Sequence, residues 1–329
     1  MNSVSLFLFF ALGLAMIIKG SDWFLNAVVW LAEVFRVPHM IIGATIVSLC
    51  TTMPEAFVST TASLRGETDV AFGNALGSIA VNTGVILALL LVFGRPKITN
   101  RKDFIVKGLF LFSSLLLVWF WGMSNGQITR MNGLILIGLL AVFLLSNVFS
   151  ARNSPLKQSS PDKSPRVVAQ NIAGFAIGIA CVICGSNLLV ENGTQIAQVL
   201  EVSSIVIALT MTAFGTSLPE LVTTIRALSK GVYDIGVGNI IGANILNVLY
   251  VIGASAIITP IPLSHDPSIL RFQFPVIFLL IGLVILFGFV NKKHFRSSNG
   301  VVLLCIYGFY LTVTILRETT PILGPLLFQ

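Results

Sequence analysis

Charge is what this sequence has least of: 10% of its 329 residues are Asp, Glu, Lys or Arg, and histidine occurs only three times. An ordinary soluble domain carries about a quarter charged residues, so a soluble globular fold is excluded. Cysteine is scarce as well. Cys50, Cys181, Cys184 and Cys305 all fall inside apolar stretches, which excludes a disulfide scaffold. Cys181 and Cys184 stand at a CxxC spacing, but no second pair completes a zinc or cluster site, and they read as buried small apolar residues. An intramembrane enzyme would need a nucleophile with a base, paired aspartates or an HExxH motif. His39, His265 and His294 all lie near span ends and supply none of these, nor a histidine proton relay.

What fills the sequence instead is apolar: 55% hydrophobic residues and a mean hydropathy of +0.94. The apolar stretches repeatedly reach the roughly 20 residues that cross a bilayer as a helix. Ten helical spans are predicted, over 4–31, 40–64, 70–94, 104–122, 131–150, 167–198, 204–229, 235–259, 271–291 and 299–317. The first lacks a basic n-region and is read as a mature span, not a cleaved signal. The long polar connection runs from Ser150 to Arg166 and is rich in Ser, Pro and Lys.

A net charge of +7 would fit a nucleic-acid partner in a soluble protein, but here it is a topology signal. With both termini outside, fifteen of the twenty basic residues fall on inward loops, among them Arg36, Arg95, Lys97, Arg101, Lys102, Arg226, Lys230 and Arg296. The outward side keeps Arg65, Arg130, Arg271 and Arg317. The expectation is a multi-pass protein of a bacterial-type plasma membrane, its partner the lipid bilayer, with no nucleic acid and no obligatory protein partner.

The sequence also repeats. Displaced by 165 positions, the separation of Glu55 and Glu220, it aligns with itself without a gap from Ala11 against Ala176 to Asn82 against Asn247. Gly20, Thr51, Pro54, Glu55, Gly66, Asp69, Gly73, Asn74, Gly77 and Asn82 meet identical residues at Gly185, Thr216, Pro219, Glu220, Gly231, Asp234, Gly238, Asn239, Gly242 and Asn247. Five spans per half is an odd number, so the halves insert in opposite senses. The fold class predicted is an all-α polytopic membrane protein, ten transmembrane helices as two five-helix inverted-topology repeats. Residues 1–149 are the first repeat, 150–166 a cytoplasmic linker and 167–329 the second repeat, with the repeated motifs at 43–85 and 208–250. Such repeats are the architecture of secondary transporters, which bind substrate near the midplane.

Glu55 and Glu220 fall mid-span, where an ionisable group costs at least about 2.5 kcal/mol and is a functional site by default. Pro54 and Pro219 precede them; a proline has no N–H to give, so the carbonyls of Cys50 and Gly215 are freed and the helix bends. Thr51 and Thr216 lie at i−4 from each Glu, Thr52 and Ser217 at i−3, Ser48 and Ala213 at i−7. The next helix of each half adds Asn74, Ser78 and Asn82, and Asn239 and Asn247. All these ligands are oxygens, which suits Ca²⁺, Mg²⁺ or Na⁺ and not zinc or copper. Two carboxylates balance one divalent ion, and without it they demand monovalent cations or a proton; that is the basis for antiport. No cofactor is expected.

Other polar residues have simpler readings. The paired glycines are read as helix-packing positions, Asp69 and Asp234 as caps of the third and eighth helices, and Lys19 with Asp22 as an intrahelical pair. Glu191 in the sixth span has no evident partner, and gating and snorkelling stay open for it.

The segments CTTMPEAFVST (Cys50 to Thr60) and GTSLPELVTT (Gly215 to Thr224), followed by GNALGSIAVN (Gly73 to Asn82) and GNIIGANILN (Gly238 to Asn247), resemble the two α-repeats of the sodium/calcium exchanger family. The resemblance implies Na⁺/Ca²⁺ antiport, with Ca²⁺ on the carboxylates of Glu55 and Glu220 and the main-chain oxygens of Thr51 and Thr216. It implies Na⁺ sites at Ser48, Thr52, Ser78, Ala213 and Ser217, Asn82 and Asn247 on the central face, and helices one and six sliding on the other eight. Three departures stand out: Ala243 replaces the family's usual Ser opposite Ser78, Cys50 and Thr52 replace Gly and Ser, and Asn247 replaces a frequent Asp. The neutral Asn247 argues against a K⁺-dependent subclass, and the short linker leaves no room for a regulatory domain. Antiport of H⁺ against Ca²⁺ or another divalent cation on the same scaffold is the alternative; a channel fits an inverted repeat with broken helices less well.

Overall fold

The computed structural model describes residues 3–97, 100–153, 161–199, 214–263, 268–291 and 294–319. Its helices in chain order are α1 (Ser3–Phe35), α2 (His39–Thr51), α3 (Met53–Leu64), α4 (Thr68–Gly94), α5 (Arg101–Asn125) and α6 (Arg130–Asn153). They continue as α7 (Pro165–Val199), α8 (Leu218–Ser229), α9 (Tyr233–Ile258), α10 (Ile269–Val290) and α11 (Ser297–Thr319). Eight are long and apolar enough to cross a membrane, and α2 with α3 makes a ninth span bent by 46°. The chain is a multi-pass membrane protein. The described part of the seventh span predicted from sequence is α8 with the helical residues 214–216 before it; residues 200–213, and with them Ala213, lie outside the described residues.

The 165-residue displacement holds in three dimensions. α3 and α8 both have 12 residues, the first parts of α4 and α9 (Thr68–Val81 and Tyr233–Leu246) both have 14, and each continues through a six-residue π-helical stretch, Asn82–Leu87 and Asn247–Ile252. The turns before them correspond too. Gly66 and Gly231 adopt φ of 79° and 70°, a left-handed conformation that favours glycine, and no atom crowds either, so their role is the turn, not helix packing. Two backbone pairings tie the loops. Gln127–Ile128 pairs antiparallel with Ile261–Pro262, and Lys97 bridges to His294. Pro262 lies 165 positions beyond Lys97, so one pairing closes each end of the bundle.

α4 and α9 form the centre, with Leu76, Ile79, Val248 and Leu249 shielded completely. α9 crosses α2 where glycines stand: a Cβ on Gly242 would lie 2.6 Å from Ala44 Cα, and one on Gly238 would strike the Met40 carbonyl. These two glycines do pack helices, as expected; Gly73 has open space around it.

α1 and α7 are different. At 33 and 35 residues they exceed what a perpendicular crossing needs, so they tilt. They meet along a glycine seam, where a Cβ on Gly20 would sit 2.8 Å from Gly178 O and one on Gly185 2.8 Å from Gly13 O. Cys181 packs in the seam against Gly20 and is half-buried, whereas Cys184 is exposed, so the expectation that both are buried is not met. The rings of Phe24 and Phe175 meet there at a tilt, their centroids 5.2 Å apart. The outer faces carry exposed Phe7, Leu8 and Ile177, which suits lipid and not water.

One polar expectation is overturned. Asp22 pairs not with Lys19 but with α8, its carboxylate 3.2 Å from Arg226 and 3.5 Å from Lys230. Lys19 is exposed on the outer face of α1. A second is not met: the residue before α4 is Glu67, which makes no side-chain cap, and Asp69 is exposed in the first turn.

Candidate functional site

The site grows out of the two helix breaks. At Thr52 the chain leaves α2 with φ −81° and ψ −1°, then restarts as α3 with Pro54 in its first turn. At Ser217 it does the same before α8, with φ −86°, ψ 7° and Pro219 in the first turn. Each break places a glutamate, Glu55 or Glu220, in the first turn of the new helix, and both are shielded completely from solvent.

The halves then exchange side chains. Thr52 Oγ1 donates to Glu220 Oε1 at 3.2 Å, and Ser217 Oγ donates to Glu55 Oε1 at 3.2 Å. Thr51 Oγ1 donates to Asn239 Oδ1 at 3.1 Å, and Thr216 Oγ1 to Asn74 Oδ1 at 3.2 Å. Every one of these bonds crosses from one half to the other, and the four form two pairs related by the repeat. Asn74 also donates to the Glu55 carbonyl at 3.3 Å and to Ser59 Oγ at 2.9 Å, tying α4 to α3.

Beyond those bonds, the same residues keep buried atoms with no partner: Glu55 Oε2, Glu220 Oε2, both side-chain amide atoms of Asn82 and Asn247, and Asn239 Nδ2. Leaving such an atom unpaired costs about 1–3 kcal/mol, more for a charged group. Four of these atoms are oxygens from four different helices of the centre. The carbonyls ahead of Pro54 and Pro219 add main-chain oxygens, since neither proline has an N–H to offer. The chemistry assembled is a cluster of hard oxygen donors with two carboxylates, fitted to a hard cation.

Asn82 and Asn247 owe their position to a feature sequence reading missed. Each opens a π-helical stretch, where one extra residue per turn re-aims side chains and which recurs at functional sites. The only sequence signal was the asparagine itself, repeated at the same register in both halves.

Hydrogen bonds across the halves bring together Thr51, Thr52, Glu55, Ser78, Thr216, Ser217 and Glu220 with Asn74 and Asn239, while Asn82 and Asn247 are buried on π-helical stretches that pack against α8 and α3 of the other half. Ser78 Oγ lies 3.4 Å from Thr216 Oγ1, while at its counterpart the buried Ala243 offers no oxygen to Thr51. Ser48 is buried beside Gly242, and its hydroxyl donates to the Thr45 carbonyl at 3.1 Å. Asn74 and Asn239 brace the threonines.

Comparison with known proteins fits this geometry. The family model for sodium/calcium exchanger protein matches residues 5–149 and 170–316. Inner membrane protein YrbG of Escherichia coli is 34% identical over 320 residues, covering 94% of this chain and 96% of that protein. Sodium/calcium exchanger MaX1 of Methanosarcina acetivorans is 26% identical over 350 residues, covering 93% and 97%. Among solved structures, the sodium-calcium exchanger NCX_Mj soaked with Na⁺ and Ca²⁺ superposes with a TM-score of 0.80 at 26% identity, over 95% of this chain and 98% of that one. Matched in both halves by one family model and alike in fold almost from end to end, this chain belongs to the sodium/calcium exchanger protein family.

Proposed function

We propose that the protein exchanges Na⁺ for Ca²⁺ across the membrane by alternating access. The observation that carries this reading is the pair of fully buried glutamates, each half-satisfied by a hydroxyl of the other repeat and each keeping one oxygen free. Ca²⁺ is held by Glu55 and Glu220 with the main-chain oxygens of Thr51 and Thr216. Na⁺ takes its place using Ser48, Thr52, Ser78 and Ser217, with Ala213 contributing only its carbonyl, and Asn82 and Asn247 facing the centre. Two buried carboxylates cannot stay empty at low cost, so one cargo leaves as the other arrives. The two five-helix halves, 1–149 and 167–329, act as the repeats, and both termini lie outside as the basic loops indicate.

H⁺/Ca²⁺ exchange is the second reading, favoured by one observation: Ala243 removes from the second half the hydroxyl that Ser78 supplies to the first. Radiolabelled Ca²⁺ uptake into proteoliposomes separates the two. Vesicles loaded with Na⁺ and diluted into Na⁺-free buffer should take up Ca²⁺. Uptake that needs a proton gradient at equal Na⁺ would replace the first reading by the second.

A further inference from the structure

α1 and α7 are repeat counterparts, yet among the described residues only α1 is tied to the core by charge. Arg226 and Lys230, at the end of α8, both reach Asp22; Lys230 Nζ also donates to Asn26 Oδ1 at 2.6 Å, and Arg226 to the Ile18 carbonyl at 3.3 Å. α1 thus packs on α8 along three successive turns. Among the described residues α7 makes no comparable packing with α3, the counterpart of α8.

The repeat says what the missing half of this arrangement contains. The residue 165 positions beyond Asn26 is Glu191, and the residue 165 positions before Lys230 is Arg65. Glu191 is exposed on α7 and Arg65 is exposed at the end of α3, and neither has an ion-pair partner among the described residues. In an inverted repeat the opposite transport state is reached when the two halves trade conformations. That trade carries α7 onto the end of α3 as α1 now lies on the end of α8, and it carries Glu191 to Arg65 as Asn26 is now held by Lys230.

We propose that Glu191 and Arg65 form an ion pair that holds the opposite transport state, in alternation with the pair of Asp22 to Arg226 and Lys230 that holds this one. On the orientation proposed above, the present state is closed inward and the Glu191 to Arg65 pair closes the outward route. This rests on the alternating-access reading but not on the identity of the ions. Ion pairs suit the task because exposed ones are weak, so a modest change at the central site can exchange one for the other.

Carbodiimide coupling joins a carboxylate to an amine only where the two meet, and it captures both states. In the native chain it should couple Asp22 to Lys230. In Arg65→Lys it should also couple Glu191 to the amine at position 65, and the two products should vary in opposite directions as Na⁺ and Ca²⁺ are changed. Adding Glu191→Gln should remove the second product alone, and in flux measurements Glu191→Arg with Arg65→Glu should recover the exchange rate that either change alone lowers by about two- to fivefold. A chain that gives the Asp22 product under every ion condition and never the Glu191 product overturns the proposal, whether or not it transports. Both products without Na⁺-driven Ca²⁺ flux would uphold the pair and overturn the coupling ion instead.

Discussion

The two halves of the site set the same backbone around unequal side chains. In the first half the break and its neighbours carry hydroxyls at Ser48, Thr52 and Ser78; in the second the matching positions are Ala213, Ser217 and Ala243. The breaks, the glutamates, the asparagines and the π-helical stretches are all duplicated, so the shared part, on the proposed exchange, serves both ions with two carboxylates and with amide and carbonyl oxygens. The unequal part is small hydroxyls at the flanks. On the exchange proposed here, the divalent ion uses what is symmetric and the monovalent ions depend on what is not.

The largest expected effects test the symmetric part. Glu55→Gln or Glu220→Gln should each lower Ca²⁺ exchange at least about 100-fold, because each leaves the other carboxylate buried without its share of the cation. Equal losses, measured as Ca²⁺ flux with the protein still monodisperse in detergent, would support one shared site. Retained flux in either variant would break the assignment.

Next come the crossing hydroxyls. Thr52→Ala removes the donor to Glu220 and Ser217→Ala the donor to Glu55, each a hydrogen bond to a charged group worth about 1.5–3 kcal/mol. Each should raise the Ca²⁺ concentration for half-maximal exchange by about 10- to 100-fold. Thr52→Ser and Ser217→Thr, which keep the oxygen, should stay near the native value; losses as large as with alanine would make the contact one of packing and not of charge.

The smallest effects concern the unequal flanks. Ala243→Ser should steepen the Na⁺ dependence of exchange by adding a ligand, and Ser78→Ala should flatten it, each moving half-saturation by about threefold, the value of one neutral hydrogen bond. The Hill slope for Na⁺ is the measurement. An unchanged slope in both would mean that the flanking hydroxyls do not count ions.

Much of this was legible in the sequence because it rests on local rules. Apolar length gave the spans to within a few residues: 167–198 expected against Pro165–Val199 found, and 235–259 against Tyr233–Ile258. Proline before a mid-span glutamate gave the helix breaks, and identity at a fixed displacement gave the pairing of halves. What stayed hidden depends on distant partners. Asp22 looked like the neighbour of Lys19 because helix spacing speaks only of its own helix, while its actual partners lie more than 200 positions away. The exchange of Thr52 and Ser217 between glutamates follows from how two bent helices cross, which composition does not encode. The π-helical stretches are an insertion in register, and Asn-Thr-Gly and Asn-Val-Leu, which open them, share no pattern beyond the asparagine.

The glutamates' place in the first turn of α3 and α8 has an electrical consequence. A helix start carries about half a positive charge, so two of them at one point offset roughly half of the carboxylates' charge of minus two. The empty site then carries about one negative charge, and the site holding a single divalent ion about one positive. Neither is neutral, yet each is only one charge from neutrality in the low-dielectric interior. On the exchange proposed here, one Ca²⁺ or two Na⁺ carries the site from about one negative to about one positive charge, so the two helix starts divide the electrical cost evenly between the empty and the loaded forms.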